Sequence, residues 1–332
     1  MRIAVCRPQV PFARGGAEIF ADELVRQLRA RGHEADVVSV PFKWYPGERV
    51  LTQAFLWRLL DLTEADGRPV DMVVATKFPS YCVRHPNKVV WLLHQFRQAY
   101  ELDRTELGQF SESAEDRATR RRVQRLDETA LGEARKLFAT SRNVAERLQR
   151  STGLEAEVLP HPPQELAYRT EAYEPFVFSV GRLDRAKRID LLIEAAAQQD
   201  VEVVIAGEGP DRERLETLAN GRVRFTGRVS EAELADLYAR CRAVFYAPVD
   251  EDFGMVPFEA FLAEKPVVTT TDAGGPLDVV RERETGRVVE PTVEAVAAAL
   301  AIGEDDARAW GRAGKALAEQ VTWDHAIDRL LA

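Results

Sequence analysis

Short runs rich in β-branched and aromatic residues alternate with longer amphipathic segments along most of the 332 residues. In the first half, strand-like runs lie at 2–6, 35–40, 71–76, 88–93 and 136–140, and helical periodicity at 17–32, 112–136 and 142–152. Further on, strand-like runs lie at 176–181, 201–207, 223–227, 243–248 and 266–271, and helical ones at 187–198, 211–220, 231–240, 256–264, 293–301 and 305–332. This alternation predicts parallel sheets wrapped by helices, because parallel strands need long crossover connections.

The alternation pauses in a proline-rich stretch without periodicity, residues 159–175. A chain of this length also suggests about two domains. We therefore expect two Rossmann-like α/β domains joined by a connector, the first over 1–165 and the second over 174–315.

Composition excludes several classes of protein. The net charge of −9 and the pI near 5.3 argue against nucleic acid as a partner, since such proteins carry a basic face. The three cysteines match no metal or redox spacing and are expected to be reduced core residues. No signal-peptide pattern and no apolar run of 18 residues is found, so we expect a soluble, cytoplasmic protein.

The segment GRLDRAKR, 181–188, follows the first strand of the second domain and leads into a helix. Ligands of open α/β sheets lie beyond the carboxyl ends of strands, where Arg182 and Lys187 would neutralise a diphosphate. A solvated basic helix start is the alternative.

Glycine-rich turns follow several strands. They are RGGAE (14–18) with Gly15 and Gly16, GEGP (207–210) with Gly207, and TDAGGP (271–276). Adjacent glycines let a backbone approach a ligand closely, although each turn taken alone is more typical of a plain strand–helix connection.

Two further features concern catalysis and metals. His94 ends a strand-like run and could donate to a sugar hydroxyl or shuttle a proton, or it is a hydrogen-bonded edge residue. Asp250 and Asp252 match the D-x-D pattern that holds divalent metals, but Asp252 also suits a helix cap. We expect no metal site.

The stretch EDFGMVPFEA, 251–260, carries an acid near each end of an otherwise apolar run. A helix that begins near Val256 would place Glu259 in its first turn and Glu251 in the preceding loop. Both carboxylates could then accept hydrogen bonds from vicinal hydroxyls, although a capped helix with two surface acids is the alternative.

Taken together, these residues resemble the retaining family 4 glycosyltransferases of the GT-B fold. The resemblance rests on GRLDRAKRIDLLIEAAA, VIAGEGP, VRFTGRVSEAELADLYARC, the Glu251…Glu259 pair with DAGGP, and TWDHAIDRLL, with RGGAE and ATSRNVAERL in the first half. It implies two Rossmann-like domains that face a central cleft, an acceptor domain and then a donor domain, with a C-terminal helix over about 316–332 crossing back to the first.

The resemblance also implies roles for individual residues. Arg182 and Lys187 would hold the diphosphate of a nucleotide-sugar, Glu259 the ribose, and Glu251 the donor sugar. The backbone of Phe253, Gly254, Met255 and Val256 would contact sugar and phosphate. Gly15 and Gly16 would approach the diphosphate, Gly207 would belong to the donor site, and His94 would lie near the donor sugar.

The activity implied is transfer of a sugar from a UDP- or GDP-activated donor to an acceptor hydroxyl, with retention and without metal or cofactor. An α-glycosidic bond would form by front-face attack, with Arg182 and Lys187 stabilising the leaving diphosphate. The acceptor would be a saccharide, a lipid-linked molecule or a small molecule in glycan biosynthesis. Residues 95–122 could contact it or form a solvated helix, and residues 42–62 could touch a membrane but more often such segments pack on a core.

Rival interpretations stay open at this point. A nucleotide-sugar epimerase or a glycoside phosphorylase can use the same architecture, and a binding protein could hold the nucleotide-sugar without turnover. A metal-dependent transferase that uses Asp250 and Asp252 would lose its activity in EDTA.

Overall fold

The computed structural model describes residues 1–12, 14–103, 105, 108–219 and 221–332. It divides into two compact units, one formed by Met1–His161 together with Trp323–Ala332 and the other by Pro162–Thr322. The first division lies inside the expected connector of 159–175, a few residues before the expected domain end at 165, and the second follows residue 322, where 315 was expected.

The first unit is built on a six-stranded sheet in the order β2-β1-β5-β6-β7-β8, with every strand pair parallel. Its elements are β1 (Arg2–Gln9), α1 (Gly16–Ala30), β2 (Glu34–Pro41), α2 (Arg49–Leu59), the small hairpin β3 (Glu64–Ala65) and β4 (Arg68–Pro69), β5 (Met72–Lys77), β6 (Lys88–His94), α3 (Ala114–Gly132), β7 (Lys136–Ala139), α4 (Arg142–Thr152) and β8 (Glu157–Val158). Short 3₁₀ turns lie at Ser80–Cys82 and Arg97–Ala99.

Both faces of this sheet are covered, which explains the uninterrupted apolar runs. Along β6, Val89, Trp91 and Leu93 belong to the core on one face, whereas Val90 and Leu92 belong to the core on the other. A strand that is buried on both faces needs apolar residues at every position, as parallel sheets generally do.

The second unit repeats this architecture with the strand order β11-β10-β9-β12-β13-β14, again all parallel. Its elements are β9 (Phe176–Val180), a 3₁₀ turn (Arg185–Lys187), α5 (Ile189–Gln199), β10 (Glu202–Ala206), α6 (Arg212–Leu218), β11 (Val223–Gly227), α7 (Glu231–Arg240), β12 (Ala243–Phe245), α8 (Val256–Leu262), β13 (Val267–Thr270), a 3₁₀ turn (Gly275–Asp278), β14 (Gly286–Val289), α9 (Val293–Leu300) and α10 (Glu304–Ala318).

Helix boundaries follow local capping chemistry. Ser230 and Glu233 form a capping box at the start of α7, so that helix begins where the sequence predicts. Ser141 caps α4 by accepting from the Val144 N–H, and Gly153 ends it with a φ of 72°.

The helix expected over 305–332 is divided in two. After α10 the chain turns at 319–322, and α11 (Trp323–Leu331) packs in the first unit through Trp323, Ala326, Ile327 and Leu330. The expected C-terminal helix over about 316–332 therefore begins only at Trp323. The indole of Trp323 lies 6.3 Å from the rings of Phe20 and Trp91, measured between centroids.

Segment 42–62 contains α2, which packs on the first unit as a core helix. Val50, Ala54 and Trp57 are buried in the core, whereas Phe55 and Leu59 stay exposed. Across the described ranges, no helix combines the length and the apolar character that crossing a membrane requires.

Two glycines permit α10 to lie against α8 and the turn that follows it. A Cβ built on Gly311 would lie 1.9 Å from the carbonyl oxygen of Glu264, and one on Gly314 would lie 2.3 Å from the Phe261 ring. Neither position tolerates a side chain without a shift of the helix.

We predict that Gly311→Ala lowers the free energy of unfolding by about 1–3 kcal/mol, because the added methyl group overlaps backbone atoms. Gly132→Ala is the control, since a Cβ at that helical position meets nothing within 4 Å. It should leave stability unchanged or raise it by about 0.5–1 kcal/mol. Urea unfolding compares them, and equal midpoints would contradict the predicted packing.

Candidate functional site

The two sheets each contain a point at which the strand order reverses. In the second unit, β10 and β11 lie on one side of β9, and β12 lies on the other. Ligands of such sheets bind beyond the carboxyl ends of the strands at this switch point. The segments that follow β9 and β12, residues 181–188 and 246–256, are therefore the candidate ligand-binding site of this unit.

Lys187, Tyr246 and Glu251 come together at this switch point. The Lys187 ammonium forms an ion pair with Glu251 Oε2, and the Tyr246 hydroxyl donates to the same oxygen at 3.0 Å. Lys187 Nζ also lies 3.3 Å from the Tyr246 hydroxyl oxygen. The side chains of Lys187 and Glu251 are 22% and 19% exposed, so they meet at the rim of the core, within reach of a ligand.

Backbone hydrogen bonds fix the loop that carries Glu251. Its N–H donates to the Ala273 carbonyl at 2.8 Å, and its carbonyl accepts from the Gly275 N–H at 2.8 Å. The Val249 N–H donates to the Ala186 carbonyl at 2.8 Å. The loops after β9, β12 and β13 are thereby tied to one another, and the DAGGP turn supports Glu251.

Glu259 lies in the first turn of α8, which begins at Val256 as the sequence predicted. The Tyr238 hydroxyl donates to Glu259 Oε2 at 2.7 Å. Burial raises the pKa of Glu259 above its usual value, while the hydrogen bond from Tyr238 lowers it. Burial, Glu251 and Glu259 together raise the pKa of Tyr246, because both acids face that phenol.

Two of the predicted glycines have packing reasons of their own. Gly254 has a φ of 81°, and a Cβ there would lie 2.9 Å from the Tyr246 ring. Gly207 has a φ of 127°, and its Cβ would lie 1.9 Å from the Gly181 carbonyl oxygen. These glycines let neighbouring loops approach each other, whether or not a ligand is bound.

The remaining residues of the 253–256 turn differ in burial. Phe253 is buried and stacks on Phe258 with a centroid distance of 5.0 Å, so its side chain belongs to the core. Met255 and Val256 are half-buried. A ligand at this turn would therefore meet the backbone of residue 253 rather than its ring.

Arg182 is not part of this cluster. Its guanidinium is 71% exposed and lies 3.8 Å from Asp184. Arg188 was not predicted as a site residue. Its guanidinium nevertheless donates two hydrogen bonds, of 2.8 and 2.5 Å, to the Asp272 carboxylate of the DAGGP turn. This pair links the loops after β9 and β13.

The first unit has its own switch point, between β1 and β5. Gly15 precedes α1, and its N–H donates to Glu18 Oε2 at 2.9 Å. Lys77, at the end of β5, lies 3.3 Å from Glu18 Oε1, and its Cα is in register with that of His94. The Gly15–Gly16 turn, Lys77 and His94 thus lie at one edge of the sheet.

His94 has a defined ring orientation. Its Nδ1 donates to the Gln95 carbonyl oxygen at 2.6 Å, since a carbonyl can only accept. Nδ1 therefore carries a proton, and in the neutral ring Nε2 is the acceptor.

Sequence reasoning missed Tyr238, Tyr246, Lys77 and Glu18. Tyr238 lies in α7 and Tyr246 directly follows β12. Both are buried, and their sequence surroundings are those of ordinary core residues. Lys77 and Glu18 carried a weak signal, because each follows directly on a strand end or a glycine turn that had been singled out.

In the part of the chain that the structure describes, no group of three or more His, Cys, Asp or Glu side chains could hold a metal ion. Asp250, of the D-x-D pattern, has a φ of 47°, and its N–H donates to the Asp272 carbonyl oxygen at 2.9 Å. Metal independence stays a prediction.

Comparison with known proteins finds one family match, and it lies within the second unit. Residues 167–316 match the family model of glycosyl transferases group 1. The matched residues make up less than half of the chain, and the similarity to this family lies in them. The match covers most of the second unit and includes all predicted site residues from Arg182 to Glu259.

A curated relative of this chain is the GDP-mannose-dependent alpha-mannosyltransferase of Mycolicibacterium smegmatis. The two are 34% identical over 159 residues, which is 47% of this chain and 42% of the relative. The chain thus spans less than half the length of the curated relatives it matches.

Solved structures match the fold over the whole chain. Sucrose-phosphate synthase of Thermosynechococcus elongatus has a TM-score of 0.79 at 22% identity, over 99% of this chain and 96% of that one. Anabaena HepE in complex with UDP and glucose has a TM-score of 0.68 at 18% identity, over 100% and 99%. The prediction of two Rossmann-like sheets in a GT-B fold is confirmed.

Removing the Tyr238 hydroxyl should destabilise the protein, because the half-buried Glu259 carboxylate would lose its hydrogen-bond donor. We expect Tyr238→Phe to lower the free energy of unfolding by about 1–3 kcal/mol at pH 7. Denaturant titration measures the change.

Tyr168→Phe is the matched control. The Tyr168 ring lies 6.0 Å from that of Tyr238, and its buried hydroxyl has no hydrogen-bond partner among the described residues. Its loss should leave stability unchanged or raise it slightly. A larger loss for Tyr168→Phe than for Tyr238→Phe would refute this assignment of Glu259.

Proposed function

We propose that the chain is a retaining glycosyltransferase that moves a sugar from a UDP- or GDP-activated donor to an acceptor hydroxyl. The product is an α-glycoside, and neither metal nor cofactor is needed. The observation that carries the proposal is the meeting of Lys187, Tyr246 and Glu251 at the switch point of the second unit.

Lys187 is the central cation of this proposal. Without a ligand, it neutralises Glu251. A diphosphate carries more negative charge than one carboxylate, so the ammonium turns toward the phosphates when the donor binds. Glu251 then accepts hydrogen bonds from hydroxyls of the donor sugar, while Tyr246 keeps its carboxylate in place.

Arg182 supplies the second cation. Its exposed guanidinium lies 3.8 Å from the Asp184 carboxylate. An ion pair of that length is weak, so the Arg182 side chain is free to rotate toward a phosphate. Together, Lys187 and Arg182 stabilise the charge that develops on the leaving diphosphate. Preorganised groups of this kind act on the transition state and so raise the rate of transfer.

Glu259 is the proposed ribose ligand. Tyr238 donates to one of its oxygens, and the other accepts from the vicinal ribose hydroxyls. The backbone of Phe253, Gly254, Met255 and Val256 contacts the sugar and phosphate, and Gly207 lets the loops close beneath them.

The first unit contributes Gly15, Gly16 and His94. Gly16 stands at the first position of α1, where a Cβ would meet nothing within 4 Å. Because that space is open, packing does not require glycine at this position, and glycine is an unfavourable residue in a helix. Close approach of a diphosphate to this backbone supplies a reason for the glycine. His94 contacts the donor sugar.

Transfer proceeds by attack of the acceptor hydroxyl on the face of the sugar that the diphosphate leaves. The new C–O bond forms as the bond to the diphosphate breaks, and the acceptor proton passes to a phosphate oxygen of the leaving group. In the proposed complex, Glu251 accepts hydrogen bonds from Tyr246 and from hydroxyls of the donor sugar, which weakens it as a nucleophile and suits it to anchoring the sugar.

The identity of donor and acceptor is proposed only as a class. The name of the GDP-mannose-dependent relative supports GDP-mannose as one donor, and the solved structure of HepE with UDP and glucose supports a UDP-activated glucose as the alternative. The three cysteines are buried free thiols, which agrees with the proposed cytoplasmic location.

Turnover with a panel of UDP- and GDP-sugars tests the function. We expect release of nucleoside diphosphate that depends on an added saccharide, lipid-linked or small-molecule acceptor and is unchanged by EDTA. Proton NMR of the product should report an α linkage from an α-linked donor.

A β-linked product would refute retention, and loss of activity in EDTA would favour the metal-dependent alternative. Consumption of the donor without an acceptor would favour an epimerase. Tight donor binding without any turnover would favour a binding protein. Lys187→Gln should abolish acceptor-dependent release, whereas Arg224→Gln, which removes an exposed charge elsewhere in the same unit, should not.

A further inference from the structure

Asp127 is a fully buried acid in the C-terminal half of α3, and its hydrogen bonds all come from neutral donors. The Tyr81 hydroxyl donates to Oδ1 at 2.8 Å, the Tyr100 hydroxyl to Oδ2 at 2.8 Å, and the Gln95 side-chain amide to Oδ2 at 3.3 Å. Within the described ranges, no Lys, Arg or His pairs with it. Burying a carboxylate without a paired cation costs free energy of folding, and a functional role for Asp127 would explain its presence here.

The three donors lie in the two segments that follow the carboxyl ends of the neighbouring strands β5 and β6. Tyr81 is in the 3₁₀ turn that follows β5, Gln95 directly follows β6, and Tyr100 follows the turn Arg97–Ala99. One carboxylate therefore joins the segments that surround the edge of the sheet on which His94 lies.

The connection from Asp127 to His94 is short. The Gln95 side chain donates to Asp127 through Nε2 and accepts from the Ser151 hydroxyl at 2.9 Å through Oε1, so both ends of its amide are fixed. The main-chain carbonyl of the same Gln95 accepts from His94 Nδ1 at 2.6 Å. Holding Gln95 thus holds the carbonyl that orients the imidazole.

We propose that Asp127 is a positioning residue that sets the ring orientation and tautomer of His94 through Gln95. This inference rests on the proposed function, in which His94 contacts the donor sugar. With the carboxylate ionised, all three donors point at it together. When the carboxyl is protonated, its O–H becomes a donor that faces three other donors. One of the three hydrogen bonds then weakens, and Gln95 is held less firmly.

The pKa of Asp127 lies near neutral pH, where enzyme activity can be measured on both sides of it. Burial raises its pKa from 3.8 to about 7, while the bonds from Tyr100, Tyr81 and Gln95 lower it and nearby Glu128 raises it further. The other titratable groups that face it are Tyr81 and Cys82 of the turn after β5, and Tyr100 next to Glu101. We therefore expect the ordering of His94 to increase as the pH rises through about 7.

The experiment uses the full chain and four variants. Asp127→Asn removes the ionisable group, and Gln95→Met removes the link to His94. Tyr81→Phe removes a donor that is not on the path to His94. Glu115→Gln, an exposed acid on the same helix, is the matched control for the loss of one charge.

The first readout is the ¹⁵N chemical shifts of the His94 ring, assigned by their absence in His94→Gln. In the wild type we expect Nδ1 to be protonated. In Asp127→Asn and Gln95→Met, we expect averaged shifts of a tautomer mixture. Tyr81→Phe and Glu115→Gln should match the wild type. Unchanged ring shifts in Gln95→Met, or equal changes in Tyr81→Phe, would overturn the proposal even if Asp127→Asn fails to fold.

The second readout is kinetic. Asp127→Asn should lower kcat by about a hundredfold, as expected for a misplaced group, with KM for the donor nearly unchanged. The rise of kcat through about pH 7 should be absent from this variant. A wild type without turnover would refute the proposed function, whereas the ring shifts would still decide the positioning role.

Stability gives an independent check on Asp127. A raised pKa means that the native state binds the proton more tightly than the unfolded chain does. The stabilisation is complete below about pH 4 and is lost as the pH rises to about 7. The wild type should therefore lose stability relative to Asp127→Asn over this range, and parallel curves would contradict a perturbed Asp127.

Discussion

Parallel pairing of the strands is the constraint on which the site depends. Each crossover returns the chain to the same end of the sheet, so every strand finishes at one edge. At the reversal between β9 and β12, two loops leave that edge in opposite directions, and Lys187 and Glu251 meet there. Residues 64 positions apart in the chain thus form one ion pair because of topology, not because of any local motif.

The ion pair also explains why charged residues can stand in an otherwise apolar neighbourhood. Glu251 is neutralised by Lys187 and held by Tyr246, and Glu259 is held by Tyr238. Each acid therefore has a hydrogen-bond donor before any ligand is present. The same arrangement leaves each carboxylate at the rim of the core, where sugar or ribose hydroxyls can reach it in the proposed complex.

Much of this fold could be predicted from the sequence, because parallel strands and capped helices carry strong local patterns. The bounds of α4, α7 and β11 agree with the predicted ones. The two-residue β8 and the edge strand β14 were missed, since short strands lack a pattern, and the break before α11 carries no proline or glycine. Tyr238 and Tyr246 could not be found in this way, because their roles depend on which acids the fold brings to their hydroxyls.

Calorimetric titration with nucleoside diphosphates and the corresponding nucleosides tests the account most directly. If Lys187 holds the diphosphate, Lys187→Gln should weaken binding of UDP or GDP by about tenfold or more, or about 1.4 kcal/mol, and leave uridine or guanosine binding unchanged. Arg224→Gln should bind both as the wild type does. Equal affinity of the wild type and Lys187→Gln for the diphosphate would contradict the proposed site.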